Sequence, residues 1–102
     1  MMPFSWLPQF RKTITMTINF PNQSRSFDAT QGGVRFWGYD QSMEATFLVT
    51  VDALRRIAPG VQSEAADLLR AFDLHRERIY AIAAKVYARG RRGSYALVAA
   101  DV

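Results

Sequence analysis

The sequence predicts an α+β domain of two layers, with an antiparallel sheet of about four strands and two or three helices on one face. Three observations carry this. Apolar residues alternate with a period of two across the first half of the chain. A four-three apolar stripe then runs through the second half, and a last alternating segment closes the chain. These are the strand and helix periods, in the order β-β-β-α-α-β. With 102 residues, the chain has room for one core.

The elements follow in order. From Thr13 to Phe20, Ile14, Met16, Ile18 and Phe20 share one face, and Thr13, Thr15, Thr17 and Asn19 the other. This is a half-buried strand, ended by Pro21. Asn22 to Gly33 reads as a polar loop holding a short extended piece at Ser26 to Asp28. Val34 to Tyr39 and Ala45 to Thr50 are the next strands, joined as a hairpin through Asp40, Gln41 and Ser42. Thr50 then N-caps a short helix to Ala58, with Leu54 and Ile57 inward and Pro59-Gly60 as its stop.

Ser63 is the next N-cap. It opens a helical stretch to Arg89 whose stripe is Leu68, Phe72, His75, Ile79, Ile82 and Val86, closed by Gly90. Asp73 offers an alternative cap, which places a break near Phe72 to Leu74. Ser94 to Ala100 forms the last strand, with Tyr95, Leu97 and Ala99 on one face.

Composition narrows the chemistry. There is no cysteine and a single histidine, so neither a thiol nucleophile nor a His or Cys metal site is expected. No cofactor is expected either. No run of about 18 apolar residues is present, so no membrane span is expected. The apolar segment Met1 to Phe10 precedes Arg11 and Lys12, the reverse of a secretory signal. The absence of cysteine fits a reducing compartment, so a cytoplasmic protein is expected. The net charge is +4, and its basic side is eleven arginines against Lys12 and Lys85. Arginine suits phosphate and carboxylate recognition, while a genome-wide codon bias gives the same count without a function.

Few residues stand out as sites. His75 falls on the apolar stripe of a helix and reads as structural. Asp28, Asp40 and Glu44 sit where turns and caps use carboxylates, so no catalytic residue is assigned. Arg89, Arg91 and Arg92, interleaved with Gly90 and Gly93, form a basic connector suited to backbone phosphates. A helix C-terminus also favours cations and glycine there. Arg35, Trp37 and Tyr39 alternate on one strand face, with Arg25 upstream; they are core if helices cover that face and a partner surface if not. Tyr80 and Tyr87, and the edge strand Ser94 to Ala100, offer surfaces for a second copy.

Four segments carry a family resemblance: MTINFPNQSRSFD from Met16, VRFWGYD from Val34, the Thr50 to Ile57 helix, and AAKVYARGRRGSYALVAAD from Ala83. From Met16 to its C-terminus the chain resembles the bacterial domain-of-unknown-function family 1488. The resemblance implies a small cytosolic α+β domain over 16–102 without an assigned activity. It also implies a biological start at Met16, making 1–15 an extension. The function expected is a non-enzymatic binding or regulatory module with a protein partner. The alternative is nucleic-acid binding through Arg89, Arg91 and Arg92, helped by Arg35 and Trp37. A small enzyme using His75 or a loop carboxylate is the third reading.

Overall fold

Pro21 has no N–H to give a sheet ladder, and it divides the first extended stretch in two. The computed structural model describes residues 18–90 and 94–102, so Thr13 to Thr17 of the first expected strand, and the 1–15 extension, lie outside the described residues. Among the described residues before the proline, only Asn19 pairs, exchanging hydrogen bonds of 2.9 and 2.7 Å with Tyr39. Regular pairing begins after it, at β1 (Arg25–Asp28), which the sequence shows only as a short extended piece. β2 (Gly33–Asp40) and β3 (Met43–Thr50) follow as a hairpin in which Asp40 faces Met43. Gln41 takes the tight turn with a φ of 59°.

Thr50 ends β3 and starts α1 (Val51–Ile57) with no connecting loop. Its Oγ1 accepts from the Ala53 N–H at 3.2 Å and donates to the Leu97 carbonyl at 3.2 Å. The cap therefore also ties the helix to the C-terminal segment at Leu97. The Val51 N–H, one of the orphan donors of a helix start, reaches the Gly32 carbonyl at 3.0 Å.

The expected long helix is two. α2 (Ala65–Leu74) and α3 (Arg76–Ala88) meet at His75, whose backbone sits at φ −111° and ψ 24°. Its N–H is shared between the Ala71 and Phe72 carbonyls. Asp73 does not cap the break, because its carboxylate is drawn to Arg25 of β1 and to Arg76. Ser63 does not cap α2 either. Glu64 holds that position, and Ser63 Oγ accepts from Arg55 Nη2 at 2.6 Å.

β4 (Ser94–Leu97) is followed by a 3-10 turn at Ala99–Asp101, so the last strand stops short of Ala100. The sheet order is β1-β2-β3-β4. The antiparallel expectation holds for the first three strands, whereas β4 lies parallel to β3. A tight turn permits only antiparallel neighbours, but here three helices carry the chain back to the start of β3. The α+β, two-layer architecture stands, with a mixed sheet.

One face of the sheet and one face of the helices make the core. Val34, Phe36, Phe47, Val49, Tyr95 and Leu97 meet Leu54, Leu68, Phe72, Ile79, Ala83 and Val86. Phe20 stacks on Tyr80 at 4.2 Å and tilts against Phe36 at 6.0 Å, closing the sheet's near end. It fits because Gly38 has no side chain: a Cβ there would fall 2.7 Å from the Phe20 ring. Of the stripe read from the sequence, Leu68, Phe72, Ile79 and Val86 are buried, while His75 and Ile82 are half-buried.

Candidate binding face of the sheet

Strand alternation sends every second residue away from the helices. On β2 these are Arg35, Trp37 and Tyr39, and the register sets Leu48, Thr46 and Glu44 of β3 beside them. On β4, Ser94 lies next to Thr46 and Ala96 next to Leu48. Two rows therefore cross the sheet, Trp37-Thr46-Ser94 and Arg35-Leu48-Ala96. The buried apolar residues of all three described helices pack on the opposite face. Trp37 is half-buried and stands outside that core cluster. It belongs to the outer face.

The charges of this face are mostly paired. Asp28, at the end of β1, accepts from Arg35 Nη2 and, through Oδ1, from the Gln31 N–H at 2.9 Å. The Arg35 hydrogen bond, then that backbone bond, hold its carboxyl below the usual aspartate range. Tyr39 donates to Glu44 Oε2 at 2.8 Å, and this carboxylate holds the phenol above its ordinary range. Between Arg35 and Ser94 lies a depression of about 300 Å³, lined by Gln31, Arg35, Thr46, Leu48, Ser94 and Ala96.

The sequence candidates separate. Asp28, Asp40 and Glu44 do not converge, since each serves its own partner: Arg35, the Tyr87 hydroxyl at 2.5 Å, and Tyr39. His75 lies at the junction of α2 and α3, in the helix layer. Arg89 reaches Asp101 at 3.2 Å, tying the end of α3 to the 3-10 turn. Arg91 and Arg92 lie outside the described residues. Their connector leads into Ser94, which borders the depression that Arg35 also lines. Among the described residues, no three His, Asp or Glu side chains gather as a metal site. No described helix is long and apolar enough to cross a membrane.

The most developed polar cluster is one that sequence reasoning missed. Asp73 takes a bidentate pair from Arg25, Nε at 2.9 Å and Nη2 at 2.7 Å, and a third bond from Arg76 Nη2 at 2.6 Å. Arg76 also donates to the Tyr80 hydroxyl at 2.7 Å and to the Gln23 carbonyl at 3.1 Å, and it lies over the Phe72 ring. Its partners come from the β1 loop and both helices, so it clamps the edge strand to the helix layer. A separation of 48 residues between Arg25 and Asp73 leaves no local signal for it.

This clamp predicts an acid response. The Arg25 hydrogen bond, first, holds the Asp73 carboxyl below its usual range, and Asp28 is lowered likewise. The unfolded chain then binds more protons than the folded one in acid. Stability is full above about pH 4, the unfolded aspartate value, and falls as pH drops through the folded values. Urea midpoints between neutrality and strong acid should show this, with a shallower loss in Asp73→Asn. Equal slopes in both proteins contradict it.

A family model described as a protein of unknown function, DUF1488, matches residues 18–98. No match was found among the curated proteins or the solved structures.

Proposed function

The chain belongs to the DUF1488 family, whose description assigns no function, and from the geometry of its sheet we propose a non-enzymatic binding or regulatory module that works through the face of the sheet that no described helix covers. One-sided packing carries the reading. The three described helices bury one face of the sheet, while the other carries Arg35, Trp37 and Tyr39 beside Thr46 and Ser94. Tryptophan, tyrosine and arginine are the side chains that anchor interfaces, being large, amphipathic and cheap to order. The carboxylates of this face serve as strand-to-strand partners, and the lone imidazole sits in the other layer. A site of action in the bacterial cytosol suits the cysteine-free composition.

Amide shift mapping tests this, with a panel of acidic and basic peptides, single-stranded oligonucleotides and small metabolites. A protein or ligand of the right kind perturbs Arg35, Trp37, Tyr39, Thr46 and Ser94. Perturbations confined to α1, α2 and α3 overturn the reading. Self-association at high protein concentration that shifts the same residues identifies a second copy as the partner.

Nucleic-acid binding is the second reading, favoured by one observation. The connector carrying Arg89, Arg91 and Arg92 runs into Ser94, in the same row as Thr46 and Trp37. Against it stands the pairing of Arg89 with Asp101. Single-strand affinity should then fall with salt by about 0.7 log units per log unit for each phosphate contacted. Affinity indifferent to salt, or unchanged in the double variant Arg91→Ala with Arg92→Ala, removes this reading.

A further inference from the structure

We propose that the depression between Arg35 and Ser94 binds an oxyanion, a phosphate or carboxylate group carried on a small apolar body. The inference rests on that outer face of the sheet being the binding surface and names its ligand chemistry. Four residues with polar side chains line it: Gln31, Arg35, Thr46 and Ser94. Arg35 donates to Asp28 through Nη2 alone, which leaves its other guanidinium donors uncommitted among the described residues. The Gln31 amide and the two hydroxyls likewise engage no described partner.

Donors therefore outnumber acceptors, and a ligand rich in acceptor atoms completes the set. Asp28 is itself anchored by the Gln31 N–H, so the guanidinium is held in place before any ligand arrives. A pre-set fork is the arrangement that suits a planar carboxylate or a phosphate face. With 31% of the Arg35 side chain exposed against 17% of Asp28, the arginine is the more accessible member of the pair. Leu48 and Ala96 supply an apolar floor beside it. A volume of about 300 Å³ suits a small molecule, at the lower end of ordinary ligand sites.

The test uses four probes on the full chain: inorganic phosphate, benzoate, phenyl phosphate and a short single-stranded oligonucleotide. Amide and Arg Nε–H shifts give the affinities. Phenyl phosphate or benzoate should saturate with shifts at Gln31, Arg35, Thr46 and Ser94, and bind more tightly than inorganic phosphate. Tightest binding by the oligonucleotide assigns the oxyanion to a nucleic-acid backbone, and tightest binding by an aryl anion to a free small molecule. Arg35→Gln should weaken binding about tenfold or more, as a charge-assisted pair requires. Arg78→Gln, on the exposed side of α3, should leave it unchanged. Ser94→Ala, on an exposed edge position, gives a second reading of the site should Arg35→Gln unfold. Failure of every anion to saturate, or full binding by both Arg35→Gln and Ser94→Ala, overturns the proposal. Neutral or cationic ligands mapping to the same residues would sink the oxyanion alone and leave the binding face standing.

Discussion

Replacing Phe36 by alanine lowers the stability of this domain by about 4 kcal/mol, the range for removing a fully buried aromatic side chain. Phe36 is 0% exposed and lies where sheet and helices meet. Among the described residues its ring has four aromatic neighbours: Phe72 at 5.2 Å, Phe47 at 5.3 Å, Tyr80 at 5.8 Å and Phe20 at 6.0 Å. Those partners come from β3, α2, α3 and the segment before β1, so no single element can close the void. Domains of this size hold about 5–15 kcal/mol in all, so the loss is a large share of the total. Urea unfolding followed by fluorescence and circular dichroism measures it. A change below about 1 kcal/mol would remove Phe36 from the centre of the core.

Gly33→Ala is the second large effect, about 3 kcal/mol, and arises from crowding instead of a void. A Cβ at Gly33 would sit 2.4 Å from the Val49 carbonyl oxygen and 3.1 Å from Leu48 Cγ and Cδ1. A carbonyl oxygen belongs to the backbone and cannot swing aside, so β2 and β3 must part where Gly33 faces Thr50. The cost reaches the Thr50 cap of α1, which follows directly. Gly90→Ala is the control, since no described residue lies within 4 Å of its Cβ position, and it should cost less than about 0.5 kcal/mol. If the two variants unfold at the same urea concentration, the close approach at Gly33 carries no energy.

Much of the fold was legible because its signals are local. The alternation in Val34 to Tyr39 and Ala45 to Thr50 marks residues whose neighbours in sequence are also neighbours in the hairpin. Thr50, Pro59 and Gly60 act within one helical turn of themselves, and α1 begins and ends where they place it. The apolar stripe gave the buried side of α2 and α3 correctly at Leu68, Phe72, Ile79 and Val86. Asp73 misled for a physical reason. An aspartate inside a helical stretch resembles a cap, yet two arginines offered its carboxylate stronger bonds than a free N–H could.

The candidate site was half legible. Arg35 and Trp37 could be placed on one strand face, but not assigned to core or surface, because the alternation does not say which face the helices cover. Gln31, Thr46 and Ser94 carry no signal of their own. They become a site only through the strand register.

The sequence by itself determined one core of two layers, the α+β class, the periods of its elements, and the lack of any thiol. These follow from residue type and spacing, which act over one or two turns of chain. Only the tertiary structure decided the parallel setting of β4, the break at His75, the Arg25-Asp73-Arg76 clamp and which face of the sheet the described helices cover. Each depends on residues dozens of positions apart being brought within hydrogen-bonding or packing distance. That is set by how the two layers close on each other, and no local pattern records it.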